Sequence, residues 1–364
     1  MPALVAAAMA TVGMVTVTGS AAAAPFDPAF PFIPAVANST VVVRGDAHGL
    51  TVTHGSVRAG LVNFVIDTSS DNGSDVTMFA PAPGKNADTV LADLRDEFSH
   101  DSPTAAKGTR ELVADARFYG LATVVKGTPV IVSEQLRAGT YYLFDINPVT
   151  EGKPATLLTL EVSGPGGGHS NAVFPFPIHA PFFPGHIPFL PGHLPSVQDQ
   201  LPDVLNHLPV DLNHLPVDLN HLPFVSGHSP FVTGHVPGLP GHGTVKLTTD
   251  DRFDSPDVLP KAGTITVRNV SDTIHFMSVS PVQDGTTDGE IQDFFAHAQG
   301  PGGPPPTFAK DGPSIAMGVL SPGKSADITY SLPSGTYDLE CFVADDKDGM
   351  PHALMGMHKV VTLK

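Results

Sequence analysis

The residues from 341 to 357, CFVADDKDGMPHALMGM, combine side chain types that bind soft metal ions. Cys341 is the only cysteine among 364 residues, and His352 and Met357 follow it in the same stretch. Two imidazoles and a thiolate in one plane, with a weak thioether on the axis, are the donors of a type 1 copper site. The second imidazole must come from another strand, and His275 in NVSDTIHFMSV is the candidate.

A single cysteine has other interpretations, because it can also be a reactive or intermolecular thiol or a buried inert side chain. His275 alone would more often be a core histidine than a ligand, and methionines commonly fill gaps in cores. The four residues together favour metal ligation. Met350, Met355 and His358 remain alternative ligands on the sequence evidence.

Charge and the N-terminal composition limit the classes of partner. The net charge of −17 argues against binding to nucleic acid or anionic membranes, which need basic surface. Residues 1–24 are uncharged, rich in Ala, Val and Met, and end in small residues, which predicts a signal peptide. No later segment is long and apolar enough for a membrane span. We therefore expect a secreted, cell-surface or periplasmic protein that is not an integral membrane protein.

Two segments, 36–163 and 244–364, share a plan of short β-like runs separated by Gly, Asn and Asp turns. RAGTYYLFDI in the first matches PSGTYDLECF in the second, which predicts an internal duplication. Apolar spacings of three and four predict helices around 88–98, 104–119 and 289–297. The predicted fold is all-β, with two β-sandwiches.

Residues 164–243 separate these domains and hold ten His, four Asp and no Lys or Arg. The histidines recur every seven residues from 179 to 242, with Gln200 in the one missing place, and Pro follows nearly every His by two residues. So many prolines exclude a continuous helix and favour extended or polyproline segments. We interpret this tract as a low-complexity linker, with metal gathering by its imidazoles as the alternative.

The C-terminal domain resembles the cupredoxins, the plastocyanin and azurin family of small Greek-key blue-copper proteins. The resemblance covers residues 244–364, one third of the chain, and implies one copper ion held by His275, Cys341, His352 and Met357. Ten residues between the cysteine and His352 make a longer ligand loop than in the smallest members. The matching residues are Asn269, His275, Pro322, Gly323, Cys341, His352, Gly356 and Met357.

Alignment of the two domains leaves no soft ligand in the first one. The positions of the cysteine and of the two histidines are taken by Asp145, Asp75 and Ala155. The segment 36–163 is therefore predicted to be a degenerate cupredoxin-like domain without copper ligands, with a structural role or a role as a partner surface.

Three classes of function follow from these features. The first is a secreted copper protein that transfers electrons or handles copper, with a redox protein or a copper donor or acceptor as partner. The alternative is a cell-surface or structural binding module with a metal-scavenging His-rich tract. The third, a copper oxidase or reductase, is disfavoured because no His-x-His occurs and Cys341 is flanked by Glu340 and Phe342 instead of histidines. The sequence thus predicts that the protein is not an enzyme.

A peptide of residues 164–243 should bind several Cu(II), Zn(II) or Ni(II) ions weakly at neutral pH and release them on acidification. Unperturbed imidazoles have a pKa of about 6.5, and below it protons displace the metal. Isothermal titration at pH 7.5 and 5.5 measures this. One tight site of fixed stoichiometry, or no heat of binding at pH 7.5, would contradict the prediction.

Overall fold

The computed structural model describes residues 39–164, 241–297 and 306–364. The predicted signal peptide at 1–24 and the seven-residue repeat between 165 and 240 lie outside the described residues. Within the described ranges, none of the helices combines the length and apolar character that a membrane crossing requires.

Short strands are the commonest regular element of the described chain. Those of the N-terminal half are β1 (Ser39–Asp46), β2 (Gly49–Val52), β3 (Ser56–Arg58), β4 (Gly60–Thr68), β5 (Ser74–Pro81), β6 (Ala116–Phe118), β7 (Ala122–Val124), β8 (Val130–Leu136), β9 (Gly139–Asp145) and β10 (Leu158–Ser163). Those of the C-terminal half are β11 (Gly241–Leu247), β12 (Phe253–Asp254), β13 (Val258–Leu259), β14 (Ala262–Asn269), β15 (His275–Pro281), β16 (Ile315–Leu320), β17 (Ser325–Ser331), β18 (Gly335–Glu340) and β19 (His358–Leu363).

The helices begin at side-chain caps or prolines and are short. They are α1 (Ala87–Glu97), α2 (Ser102–Asp115), α3 (Asn147–Thr150) and α4 (Asp288–His297). Asn86 and Asp101 each accept a backbone N–H in the first turn of α1 and α2. The three predicted helices are confirmed, except that α2 ends at Asp115 because the chain then pairs with β5 as β6. The sequence did not predict α3.

The two halves have the same strand arrangement. In the first sheet β1 lies parallel to β4 and β4 antiparallel to β8, just as β11 lies parallel to β14 and β14 antiparallel to β17. In the second layer β9 lies between β5 and β10, just as β18 lies between β15 and β19. Alternating buried side chains on β1, β14 and β17 face the space between the layers. The predicted fold class, all-β with two β-sandwiches, is confirmed.

The halves also pair with each other in both layers. Strand β8 is antiparallel to β17 in one layer, and β7 is antiparallel to β16 in the other. Buried side chains of both halves, such as Phe64, Leu121, Met317 and Ile328, belong to one hydrophobic cluster. The two sequence segments are therefore packed as one compact unit in the described structure. The predicted domain boundaries stay a prediction.

Helices α1 and α2 pack closely through a glycine. A β-carbon on Gly108 would lie 2.7 Å from the carbonyl carbon of Asp96 and 2.8 Å from the carbonyl oxygen of Asp93. These are backbone atoms, which cannot rotate away. Gly108 therefore sets the distance between the two helices.

Replacing Gly108 by Ala should destabilise the protein by roughly 1–3 kcal/mol, although Ala normally stabilises a helix relative to Gly. Gly289 in α4 is the matched control, because its nearest neighbour to an added β-carbon, Thr287 Oγ1, is 3.8 Å away. Gly289→Ala should be neutral or stabilising by up to about 1 kcal/mol. Urea unfolding of both variants measures the difference. Equal stability of the two variants would show that the helices separate freely.

Candidate metal centre

The ligand loop, residues 341–357, folds back on itself directly after β18. Cys341 donates its backbone N–H to the carbonyl of Met357 at 3.2 Å, and its own carbonyl accepts from Ala353 N at 2.6 Å. These bonds return the chain to the end of β18 after the long excursion. His352 therefore lies beside the cysteine despite the ten intervening residues.

The acidic tip of the ligand loop forms a tight turn. Asp345 Oδ1 accepts the backbone N–H groups of Lys347 at 2.8 Å and Asp348 at 3.0 Å. Gly349 has a φ of 72°, which favours a residue without a β-carbon. The sequence DDKDG therefore fixes the turn locally, since Asp side chains readily accept bonds from the backbone two residues on.

The loop before β15 holds His275 at the start of that strand. Asn269 Nδ2 donates to the carbonyls of Thr273 and Leu320, both at 2.8 Å, and Asn269 Oδ1 accepts from Ser271 N at 2.9 Å. Asn269 is buried, so these bonds satisfy a side chain that water does not reach. Asn269 thus fixes the segment that delivers His275.

Three of the four predicted ligands meet at metal-binding separations. Cys341 Sγ lies 3.6 Å from His275 Nδ1 and 3.8 Å from His352 Nδ1, and the side chains are 0% exposed. Zinc-type bonds of about 2.3 Å to sulfur and about 2.0 Å to nitrogen, at about 110–120°, separate such donors by about 3.5–3.7 Å, close to the separations found here. The donor set therefore fits one metal ion without a change of backbone. This His-Cys-His group is present among the described residues.

Met357, the fourth predicted ligand, is 0% exposed and donates its backbone N–H to the carbonyl of His352 at 2.8 Å. Its ligation stays a prediction. Two of the alternative ligands have other surroundings: Met350 is 42% exposed, and His358 Nε2 lies 3.0 Å from Gln292 Oε1. The carbonyl of Met355 accepts a bond from Arg252.

Burial makes the three donors electrically neutral. It raises the pKa of the Cys341 thiol to about 12 and lowers the pKa of His352 to about 4. The pKa of His275 falls to about 3, mainly through burial and also through the neighbouring His352. At neutral pH the group thus consists of a thiol and two uncharged imidazoles, whose Nδ1 atoms face the sulfur.

Asp251 lies on the other side of both imidazoles, and the sequence analysis did not identify it. Its Oδ1 is 3.9 Å from His275 Nε2 and 3.7 Å from His352 Nε2. Burial, and then the nearby Asp345, raise the pKa of Asp251 to about 6. Asp251, Asp345 and His352 form a second group of possible ligands. An acidic turn without regular spacing gives no signal in the sequence.

The N-terminal half covers the ligand loop with α1 and α2. Glu97 Oε1 accepts from Ala344 N at 3.1 Å, and Thr109 Oγ1 donates to the carbonyl of Ala344 at 2.9 Å. A β-carbon on Gly349 would lie 2.7 Å from the carbonyl carbon of Ser102. The ligand loop is therefore held between the two halves. These contacts span more than 200 residues of sequence, and no motif indicated them.

Carboxyl groups occupy the corresponding place in the N-terminal half. Asp75 N donates to Asp145 Oδ1 at 3.3 Å. Burial, and then the Asp145 carboxylate, raise the pKa of Asp75 to about 7, and burial also raises the pKa of Asp145. The positions aligned with His275 and Cys341 thus carry carboxyl groups, and the Asp145 carboxylate acts on the pKa of Asp75.

Comparison with known proteins gives matches only among solved structures. No protein-family model matches the chain. No curated protein matches it either.

Three similar structures illustrate the low identity and low TM-scores of these matches. A reduced auracyanin of Roseiflexus castenholzii is 22% identical, covering 35% of this chain and 99% of its own, with a TM-score of 0.22. A multi-copper oxidase of Pediococcus acidilactici is 11% identical, covering 90% of this chain and 59% of its own, with a TM-score of 0.22. A Cu-containing nitrite reductase of Thermus scotoductus is 14% identical, covering 90% and 68%, with a TM-score of 0.18. At these scores the similarities carry no argument about activity.

The prediction that the protein is not an enzyme is wrong as it was derived. It relied on the absence of a His-Cys-His motif along the chain. Such a motif is indeed absent from the sequence, because Cys341 is flanked by Glu340 and Phe342. The fold nevertheless assembles such a group from His275, Cys341 and His352, which are not consecutive: the cysteine lies 66 residues from His275 and 11 residues from His352. A motif along the chain is thus a poor test for a group that forms in three dimensions.

Glu97→Gln should stabilise the protein at alkaline pH. Burial raises the pKa of Glu97 from 4.5 to about 7, so the folded state favours the neutral acid. This preference for the neutral acid adds to the free energy of unfolding. Its contribution is complete below pH 4.5 and is lost as the pH rises through 7. Gln is neutral throughout and keeps an oxygen for Ala344 N. We expect equal stability at pH 4 and a gain of up to about 3 kcal/mol at pH 8.

Urea unfolding at pH 4, 6 and 8 measures this difference, with Glu111→Gln as the control. Glu111 lies in α2 and its side chain is 39% exposed in an ion pair with Lys107. Its replacement should change stability by less than about 1 kcal/mol. A Glu97→Gln variant that is less stable than wild type at pH 8 would contradict the prediction.

Proposed function

We propose that the chain is an electron-transfer copper protein with one type 1 site held by His275, Cys341, His352 and Met357. The observation that supports this most directly is the separation of 3.6 and 3.8 Å between Cys341 Sγ and the two imidazole Nδ1 atoms. One soft sulfur and two imidazoles in a closed pocket favour copper over hard cations.

The burial of the donors and the hydrogen bonds that hold them favour electron transfer over copper storage or delivery. His275, Cys341 and His352 are all 0% exposed, so a copper donor or acceptor protein has no direct access to them. Asn269 and the backbone bonds of the ligand loop hold the donors in place. Bound copper supplies a one-electron couple, and a rigid ligand set keeps the rearrangement between its oxidation states small.

Proton balance at the thiol follows from the burial of the site. Cys341 has a pKa of about 12, so the side chain is protonated at neutral pH before metal binds. Ligation needs the thiolate, so binding releases the thiol proton. The imidazoles are already neutral and release none from Nδ1.

The setting and the partner complete the proposal. The uncharged residues 1–24 support export. The partner is a redox protein that takes up or supplies one electron. The net charge of −17 favours a partner with a basic surface and disfavours nucleic acid.

Copper titration followed by visible absorption tests the proposal. Wild type should bind one Cu(II) per chain, develop an intense thiolate-to-copper band and release one proton. Cys341→Ser should lose the band while circular dichroism still shows the β-fold. His352→Ala should weaken Cu(II) binding by more than about 100-fold, because removing a direct ligand should cost more affinity than removing a residue that only supports a ligand. Met357→Ala should weaken binding least, because an axial thioether forms only a weak, long bond to copper.

His358→Ala is the matched control, because it removes a buried imidazole that bonds to Gln292 outside the His-Cys-His group. It should keep the band and the affinity. A colourless wild-type protein at one equivalent of Cu(II), or a band that persists in Cys341→Ser, would overturn the proposed function.

A further inference from the structure

The turn between β11 and β12 has an unusual backbone at Asp251. Asp251 N donates to the carbonyl of Thr248 at 3.2 Å, and Thr248 N donates to the carbonyl of Arg252 at 3.1 Å. Within the described ranges, Asp251 is the only residue other than glycine with a positive φ, at 53°. This left-handed conformation turns the side chain towards the metal centre.

The Asp251 carboxylate meets two imidazole nitrogens that the described residues otherwise leave unpaired. Oδ1 lies 3.9 Å from Nε2 of His275 and 3.7 Å from Nε2 of His352. Both nitrogens are buried, and neither has a hydrogen-bond partner among the described residues. Nδ1 of each ring faces the sulfur of Cys341, so a proton on Nε2 leaves Nδ1 free as a ligand. A buried N–H without an acceptor is unfavourable, and Asp251 is the acceptor within reach of both.

We propose that Asp251 is the positioning residue of this metal centre. Its single carboxylate faces the Nε2–H groups of both imidazoles, holds them in the tautomer that leaves Nδ1 free for the metal, and favours the more positive oxidation state of the copper. The second part rests on the proposed function, whereas the tautomer part does not depend on metal.

Arg252 keeps the carboxylate in place. Its Nη1 donates to the carbonyl of Asp251 at 2.8 Å and to the carbonyl of Met355 in the ligand loop at 3.3 Å. A β-carbon on Gly356 would lie 2.9 Å from that Nη1. The turn that carries Asp251 is thus tied to the ligand loop between His352 and Met357. The separations to Nε2 are longer than a direct bond of about 3.0 Å, so closing them needs a movement of under about 1 Å.

A second cation between Asp251, Asp345 and His352 is the competing interpretation. Asp345 Oδ1 already accepts two backbone N–H groups of the ligand loop. His352 would also have to lose its Nε2 proton to bind a second ion. The contacts therefore favour positioning over a second metal site.

Two variants separate the acceptor from the charge. Asp251→Ala removes both, whereas Asp251→Asn keeps an acceptor oxygen and removes the charge. Asp250→Asn is the matched control, because Asp250 is exposed in the same turn and gives the same change in net charge.

Nitrogen-15 NMR of the metal-free proteins measures the imidazole tautomers. Wild type, Asp251→Asn and Asp250→Asn should show both histidines protonated at Nε2, and Asp251→Ala should show a mixture of tautomers. Unchanged tautomers in Asp251→Ala would overturn the positioning role. This readout holds even if wild type fails to bind copper, so it separates the inference from the proposed function.

Paired Cu(I) and Cu(II) titrations measure the electrostatic part. In Asp251→Asn the ratio of Cu(II) affinity to Cu(I) affinity should fall by on the order of tenfold, since a nearby charge stabilises the dication more. Tenfold corresponds to a rise of about 59 mV in reduction potential. Asp250→Asn should keep the wild-type ratio.

An equal ratio in wild type and Asp251→Asn would overturn the electrostatic part. A wild-type protein that binds a second equivalent of Zn(II), lost in Asp251→Asn, would overturn the whole inference in favour of a second cation site.

Discussion

Burial of three polar donors without charge is the constraint on which the arrangement around the site depends. An ionised thiolate or imidazolium is costly in an apolar interior, so Cys341, His275 and His352 are neutral at pH 7. Neutral donors still need neighbours that match them. The sulfur faces the two Nδ1 atoms, and Asp251 faces the two Nε2 atoms. Each imidazole thus has one nitrogen, Nδ1, next to the sulfur and the other, Nε2, next to Asp251.

The N-terminal half contributes to this arrangement although it lacks soft ligands. Its helices α1 and α2 contact the ligand loop through Glu97 and Thr109, which both form hydrogen bonds with the backbone of Ala344. Ala344 is accordingly buried. The N-terminal half, which carries Asp75 and Asp145 in place of His275 and Cys341, therefore covers one side of the ligand loop of the C-terminal half.

The parts of the structure that the sequence predicts are those with local patterns. Strand periodicity indicated the two β-sandwiches, and the unusual residue types, a lone cysteine followed by His352, indicated three donors that the fold brings together. Asp251 and Glu97 escaped prediction because each is one acidic residue among the 36 of the chain. Their significance comes from contacts across long sequence distances. The pairing of the two halves also escaped prediction, since strand edges have no signature that names their partner.

The pairing of strands between the two halves limits self-association of the protein. An isolated sheet edge presents a row of unpaired backbone donors and acceptors to which another chain adds as a new strand. Pairing β8 with β17 and β7 with β16 conceals four such edges inside the molecule. The strands left at the ends of the two sheets are β12, β2, β13 and β3, which are only two, four, two and three residues long, and β6, which branches from β5, has three residues. The described part of the molecule therefore offers little template for fibre growth or strand exchange.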